Sequence, residues 1–446
     1  MIAGADSIRS PQANSGRWSQ PWSIAAVAFL LRVVAMTVLH TYRFKHDLDN
    51  FGFGWETGRI ARAIAIGRGF SDPLQGHTGP TAWIAPLYPY LLAGIFKLFG
   101  IYTFASSWVC LAINSVFGAL NVIPIYRIFA RCFSRRRSAD ADIGGAAWSA
   151  WIWAAFPFAW YWSIHWQWET SLATLLLSCA FLLMLRISEV GAATATAATH
   201  TSDWTLFGIT WGAIALTNPS LLTFLPFAGI WALIRRSQRV PFVTSFRPAL
   251  LSGAIFLAML TPWTIRNYEV FHKFIPIRGN FWVELHLGNT EATEGLWAWW
   301  LHPSQDPEQL ALYTRLGEAG YVAHMKTIVI GDIQRDPARF WRNSVRRFWF
   351  YWYDTPRVEN VLPRFSETRN LLFFASSLLG WLGVALLFLE RHSARWPFFW
   401  MFVAVPFVYY LTFPHPRYRA PIEPFIVILA VHLFRSAQKR IQPRTI

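Results

Sequence analysis

Ten apolar runs, most of them close to the length that crosses a bilayer, constrain this chain more than any other feature. They cover 22–41, 103–130, 143–163, 170–187, 204–217, 219–234, 248–268, 370–389, 397–413 and 420–435. A spanning helix needs roughly 20 mostly apolar residues. Only 14% of the residues are charged, against about a quarter in an ordinary soluble chain, so most of the surface cannot face water. The 26 Trp residues suit rings that sit between lipid tails and headgroups. The expected fold is all-α: a polytopic membrane protein of about ten transmembrane helices. Residues 1–435 read as one transmembrane unit, with a cytoplasmic tail over 436–446 and no free-standing soluble domain.

The net charge of +16 is scattered in short basic blocks between apolar runs, which argues against a nucleic-acid partner. Blocks at 131–137, 235–239, 391–395 and 435–444 follow the rule that keeps Lys and Arg in the cytoplasm. Both termini are then cytoplasmic, in a cell (inner) membrane. All four blocks share one side only if the short run 85–100 makes no net crossing, as a re-entrant or interfacial segment. The alternative is that 101–130 splits at Asn114 or Pro124. The run from Trp22 to Leu39 has no small-residue cleavage site after it and reads as an uncleaved first helix. Cys110, Cys132 and Cys179 lie in or beside apolar runs without a CxxC pair, which speaks against a disulfide framework or a zinc site.

On this map the polar residues gather outside. They occupy the first loop 42–84, the turn around His165–Glu169, the break at Asn218-Pro219, the long segment 270–369 and the HPRYR turn at 415–419. Asp336-Pro337 is a helix start, an N-cap followed by proline. Beyond it Arg339, Arg342, Arg346 and Arg347 fall on one side among aromatic residues, as in a helix lying in the membrane interface. Interfacial helices are expected both here and in the first loop.

The first loop carries Asp47, Asp49 and Glu56. A carboxylate at a partly dehydrated surface has its charged form disfavoured, which suits a general base for a hydroxyl acceptor. Glu56 and Arg59 equally fit a plain i,i+3 pair. His165 and Glu169 share a helical face, but two ligands are too few for a metal site. Asn218-Pro219 is either an outside turn or a break against a wet cavity. Arg266 and Arg278 offer guanidinium forks for phosphate oxygens, as do Arg417 and Arg419 in a proline-rich turn; interfacial anchoring is the other reading of both pairs.

Four stretches in order resemble one family: EtGRiA-x5-GrGFsdP, GPTAw-x-aPLYP, PWTiRNY-x-VF and HPRYR-x-PIEP. The chain is similar over about 20–430 to the C-type glycosyltransferase superfamily, in a bacterial branch related to protein O-mannosyltransferases and the lipid A aminoarabinose transferase. The resemblance implies transfer of a sugar from a polyprenyl-phosphate-linked donor on the periplasmic face, with inversion, to a glycan, lipid or protein acceptor. It implies an acidic residue of the first loop acting on the acceptor, with Glu56, Asp49 and Asp47 available and Thr57 where the family has a tyrosine. Glu169 matches a second external acidic position. Arg417 and Arg419, more weakly Arg266, and Arg59 beside Glu56 are the expected phosphate ligands; His165, Asn218, Asn267, His415 and Tyr418 are further site candidates. Such branches commonly work without a metal, so no metal or cofactor is expected; membrane lipid is a partner. The other class is a transporter or flippase for a lipid-linked sugar, which would bury charge mid-span and repeat its halves; no clear repeat is present.

Overall fold

The computed structural model describes residues 19–44, 51–133, 143–191, 201–355 and 363–441. No strand occurs among them, and the chain is an all-α polytopic membrane protein. The helices are α1 Pro21–Val38, α2 Glu56–Ala65, α3 Leu87–Phe99, α4 Phe104–Leu120, α5 Val122–Phe133, α6 Ile143–Ala155, α7 Pro157–Ile164, α8 Thr170–Ile187 and α9 Thr201–Ala215. They continue with α10 Leu225–Ser237, α11 Phe242–Phe271, α12 Phe281–Asn289, α13 Pro307–Arg335, α14 Pro337–Tyr353, α15 Pro363–Leu389, α16 Arg395–Leu411, α17 Pro416–Arg419 and α18 Glu423–Ile441.

Among the described residues, six helical stretches are long and apolar enough to cross a membrane: 21–38, 104–133, 170–187, 242–271, 369–389 and 416–441. Shorter apolar legs lie between them. The 143–163 run divides into α6 and α7 at Pro157, because proline supplies no N–H to continue the ladder.

Contacts mark the two ends of the bundle. At one, Glu189 pairs with Arg236 and Arg239, Arg186 with Asp203, and His432 with Glu390. At the other, Trp108 bonds to Thr37, Asn114 to the Trp166 carbonyl, and Ser220 to Tyr409. Between these ends the described chain makes ten passes: α1, α4–α5, α6–α7, α8, α9, α10, α11, α15, α16 and α17–α18.

Helix α3 begins against Leu216 and ends where Phe96 packs on Phe53 and Tyr102, both at the second end. Its 13 residues extend about 20 Å, short of the ~30 Å hydrocarbon layer.

Helices α2, α12, α13 and α14 sit at the same end. In α14 Trp341, Val345 and Trp349 are exposed one turn apart, with Arg342 and Arg346 also exposed, which is an interfacial face. Arg347 departs from the expected basic stripe: it is fully buried, since adjacent residues point about 100° apart on a helix. Its guanidinium donates to the carbonyls of Gly295, Tyr410, Leu411 and Gly288 and to Asn289 Oδ1. That ties α14 to the ends of α12 and α16. Arg347→Ala removes all of these donations, leaving Gly288 and Leu411 only their Thr293 and Asn289 donors, and is expected to cost about 3 kcal/mol, read as a lowered unfolding midpoint in micelles.

Candidate active site

The FGFGWE stretch opens the site. Gly54 has φ +81, and a Cβ there would meet the Gln167 carbonyl at 2.5 Å and Trp168 at 2.9 Å. Only glycine allows both the left-handed backbone and this close approach. Trp55 follows at φ 50, ψ −114, a costly conformation for a bulky residue. Together they seat Glu56, the first residue of α2, against the turn that carries Glu169.

One pocket at this end is lined by Glu56, Glu169, Arg278, Glu284, His302, His415, Arg417 and Tyr418, with walls of Trp55, Trp83, Trp166, Trp168, Trp297 and Phe413. The sequence motifs had singled out Glu56, Glu169, Arg278, His415, Arg417 and Tyr418. Glu284 and His302, and most of the indole wall, come from places no motif marked. Their only trace in the sequence is the density of aromatic residues in 281–302.

Burial raises the Glu56 pKa, opposed by the charges of Arg59, Arg417 and Arg278. His302 Nε2 lies 3.4 Å from Glu56 Oε1. The Ser304 backbone N–H donates to His302 Nδ1 at 3.1 Å. An N–H can only donate, so the neutral ring carries its proton on Nε2, the nitrogen nearer Glu56. Desolvation by burial holds His302 down at about 4, and its ring is boxed in by Trp55, Trp83 and Trp297.

Arg417 is held by flat faces rather than by a carboxylate. Its guanidinium carbon lies 4.0 Å from the Trp168 ring centre and 5.0 Å from that of Tyr418. It donates to Tyr418 Oη at 3.4 Å, and among the described residues no acidic side chain pairs with it. Tyr418 is in turn stacked on Tyr409 at 4.2 Å, and the Arg417 N–H donates to His415 Nδ1.

The other candidates lie outside this pocket. Arg419 is fully buried and donates to Glu423, the Phe373 carbonyl, Ser376 and Ser377, which fastens α17 to α15. Arg266 donates to the Thr81 and Phe70 carbonyls, and Asn267 to those of Ile275 and Ile277. They hold the loop before Trp83 and the turn before Arg278. Arg59 is buried and donates to the Pro73 carbonyl. His165 stacks on Tyr161 and is not among the residues lining the pocket. Asn218 caps the short turn through Ser220, whose hydroxyl bonds to Tyr409. Asp47 and Asp49 fall outside the described residues.

A buried carboxylate, Glu318, fixes the opposite wall. It accepts from the Ala82 N–H at 2.7 Å, from Tyr313 at 2.9 Å and from Thr81. Thr81 Oγ1 then accepts the Trp83 N–H at 2.9 Å. Burial raises the Glu318 pKa, and these donors oppose the shift.

No family model matches the chain, and no curated protein sequence matches it. Solved structures do. The Archaeoglobus fulgidus oligosaccharyltransferase in its apo form aligns with TM-score 0.51 at 17% identity over 96% of this chain and 52% of its own. The same enzyme tethered to an acceptor peptide containing the NVT sequon aligns with TM-score 0.50 at 14% identity, over 94% and 51%. ArnT from Cupriavidus metallidurans bound to undecaprenyl phosphate aligns at 15% identity over 94% and 80%, with TM-score 0.39. The chain spans about half the length of the oligosaccharyltransferases it matches. It has the GT-C fold, the helical architecture it shares with that oligosaccharyltransferase.

Proposed function

We propose that the chain transfers a sugar from a polyprenyl-phosphate-linked donor to a hydroxyl acceptor on the periplasmic face, with inversion. The observation that carries this reading is Arg417, which makes no salt bridge to a carboxylate among the described residues and lies over the Trp168 ring, in one pocket with the half-buried Glu56. A phosphate leaving group needs a fixed cation where its charge develops, and an acceptor hydroxyl needs a base.

Glu56 takes the acceptor proton as the acceptor oxygen bonds to the anomeric carbon. The bond from that carbon to the phosphate oxygen breaks on the opposite side, and the electron pair leaves with the phosphate toward Arg417. His302, with Nε2 at 3.4 Å from the carboxylate, backs Glu56 in the pocket wall. Attack opposite the leaving group inverts the centre.

An apolar groove supports a lipid-borne donor. It lies between α9, α10 and α11, lined by Trp204, Phe207, Trp211, Leu225, Ile230 and Phe256, with Ile230 exposed to the lipid side. Phe256 packs with Leu222 against Ala85, Leu260 and Ile277. That packed cluster separates the groove from the pocket wall at Ile84 and Arg278. On this reading residues 1–435 form one catalytic unit, and both termini and the 436–446 tail are cytoplasmic.

Purified protein in lipid, given radiolabelled polyprenyl-phosphate sugars and hydroxyl acceptors, is expected to release label from the lipid. Labelled lipid that crosses the bilayer intact, without release, would replace this reading with a carrier.

A further inference from the structure

The two pocket arginines are not equivalent. Arg278 donates through Nη2 to Glu284 Oε1 at 3.1 Å and through Nε to Asn280 Oδ1 at 2.5 Å. Asn280 Nδ2 donates to the same Glu284 oxygen at 2.7 Å. This triad carries no net charge. Among the described residues, Arg278 Nη1 and Glu284 Oε2 make no hydrogen bond, and both side chains keep solvent access, 34% and 22%.

A neutral donor–acceptor pair and an unpaired guanidinium select different chemistry. Arg417 suits an anion. Arg278 already has its counterion, and Glu284 repels a phosphate or a carboxylate brought beside it. What the triad satisfies is adjacent hydroxyls, one accepting from Arg278 and the next donating to Glu284. The flanking indoles offer flat apolar surface to the ring that bears them, and Trp297 is itself stacked on Phe413 at 5.5 Å.

We propose that Arg278 and Glu284, held together by the buried Asn280, form the sugar subsite, and that the transferred group is an uncharged pyranose with vicinal hydroxyls. This rests on the glycosyl-transfer reading. Glu56, Glu169 and Glu284 line the same pocket and make an acidic sugar the poorer ligand.

The test measures equilibrium binding of polyprenyl phosphate and of its glucosyl, galactosyl, mannosyl and hexuronosyl derivatives to reconstituted full-length protein. Wild type is expected to bind at least one neutral hexosyl lipid more tightly than polyprenyl phosphate, and the hexuronosyl lipid less tightly than that one. Glu284→Gln should weaken the hexosyl lipid by about tenfold or more while binding polyprenyl phosphate unchanged or tighter, which also shows that the variant is folded. Arg417→Gln should weaken both. An equal loss of both lipids in Glu284→Gln, an unchanged hexosyl affinity, or a preference for the hexuronosyl lipid overturns the subsite. A wild type that binds none of these lipids overturns the glycosyl-transfer reading instead.

Discussion

Glu56→Gln is expected to abolish transfer, a loss on the order of 10²–10⁴-fold in turnover, with donor affinity held within about threefold because the phosphate ligand is untouched. The amide fills the same volume but cannot take a proton. Normal turnover in this variant removes Glu56 from the mechanism. The pH profile gives a second, independent reading. Burial raises the Glu56 pKa and the base works only when ionised, so activity should fall, as pH is lowered, at a pH above the ordinary carboxylate range near 4.3.

On the proposed mechanism a His302 Nε2–H 3.4 Å from the carboxylate favours its ionised form. His302→Ala should therefore move that acid limb further up, and His302→Gln, which keeps a donor in reach, should restore part of the shift. An acid limb at the same pH in all three proteins would leave His302 a packing residue.

Arg417→Gln should lower kcat/KM by roughly 10²–10³-fold, since it removes the fixed charge facing the leaving phosphate. The same variant should weaken donor binding, because the guanidinium meets the phosphate in the ground state as well. Arg417→Lys is expected to recover little, for a lysine ammonium lacks the planar face that stacks on Trp168. An unchanged kcat/KM in Arg417→Gln would relegate the residue to anchoring. Arg419→Gln separates the two arginines. Arg419 is wholly engaged within the protein, so its loss should lower the unfolding midpoint rather than act through the donor alone.

The membrane architecture was legible in the sequence because apolar length and sparse charge are properties of each run by itself. The ten passes follow the apolar runs, and the brevity of 85–100 reappears as a helix that starts and ends on one side. Asp336-Pro337 marked the start of α14, and Asp336 Oδ1 accepts the Arg339 N–H there at 2.9 Å. The collection of polar residues at one end was visible for the same reason: each sits at the boundary of a run.

Which of those residues meet was decided by tertiary structure. Arg417 and Arg419 stand two residues apart in one motif, and a helical turn sends such neighbours to opposite sides. One faces the pocket and the other the α15 contact. Arg266 and Asn267 belong to a motif yet serve backbone carbonyls. Glu284 and His302 reach the pocket from a segment with no motif, because the folds around Asn280 and Ser304 aim them inward. Sequence alone determined that this chain lives in a membrane with polar residues gathered between its apolar runs, since burial in lipid is dictated residue by residue. Only the packing of distant segments decided which charges lie unpaired beside one another, since a pairing depends on what the rest of the chain brings within about 3 Å.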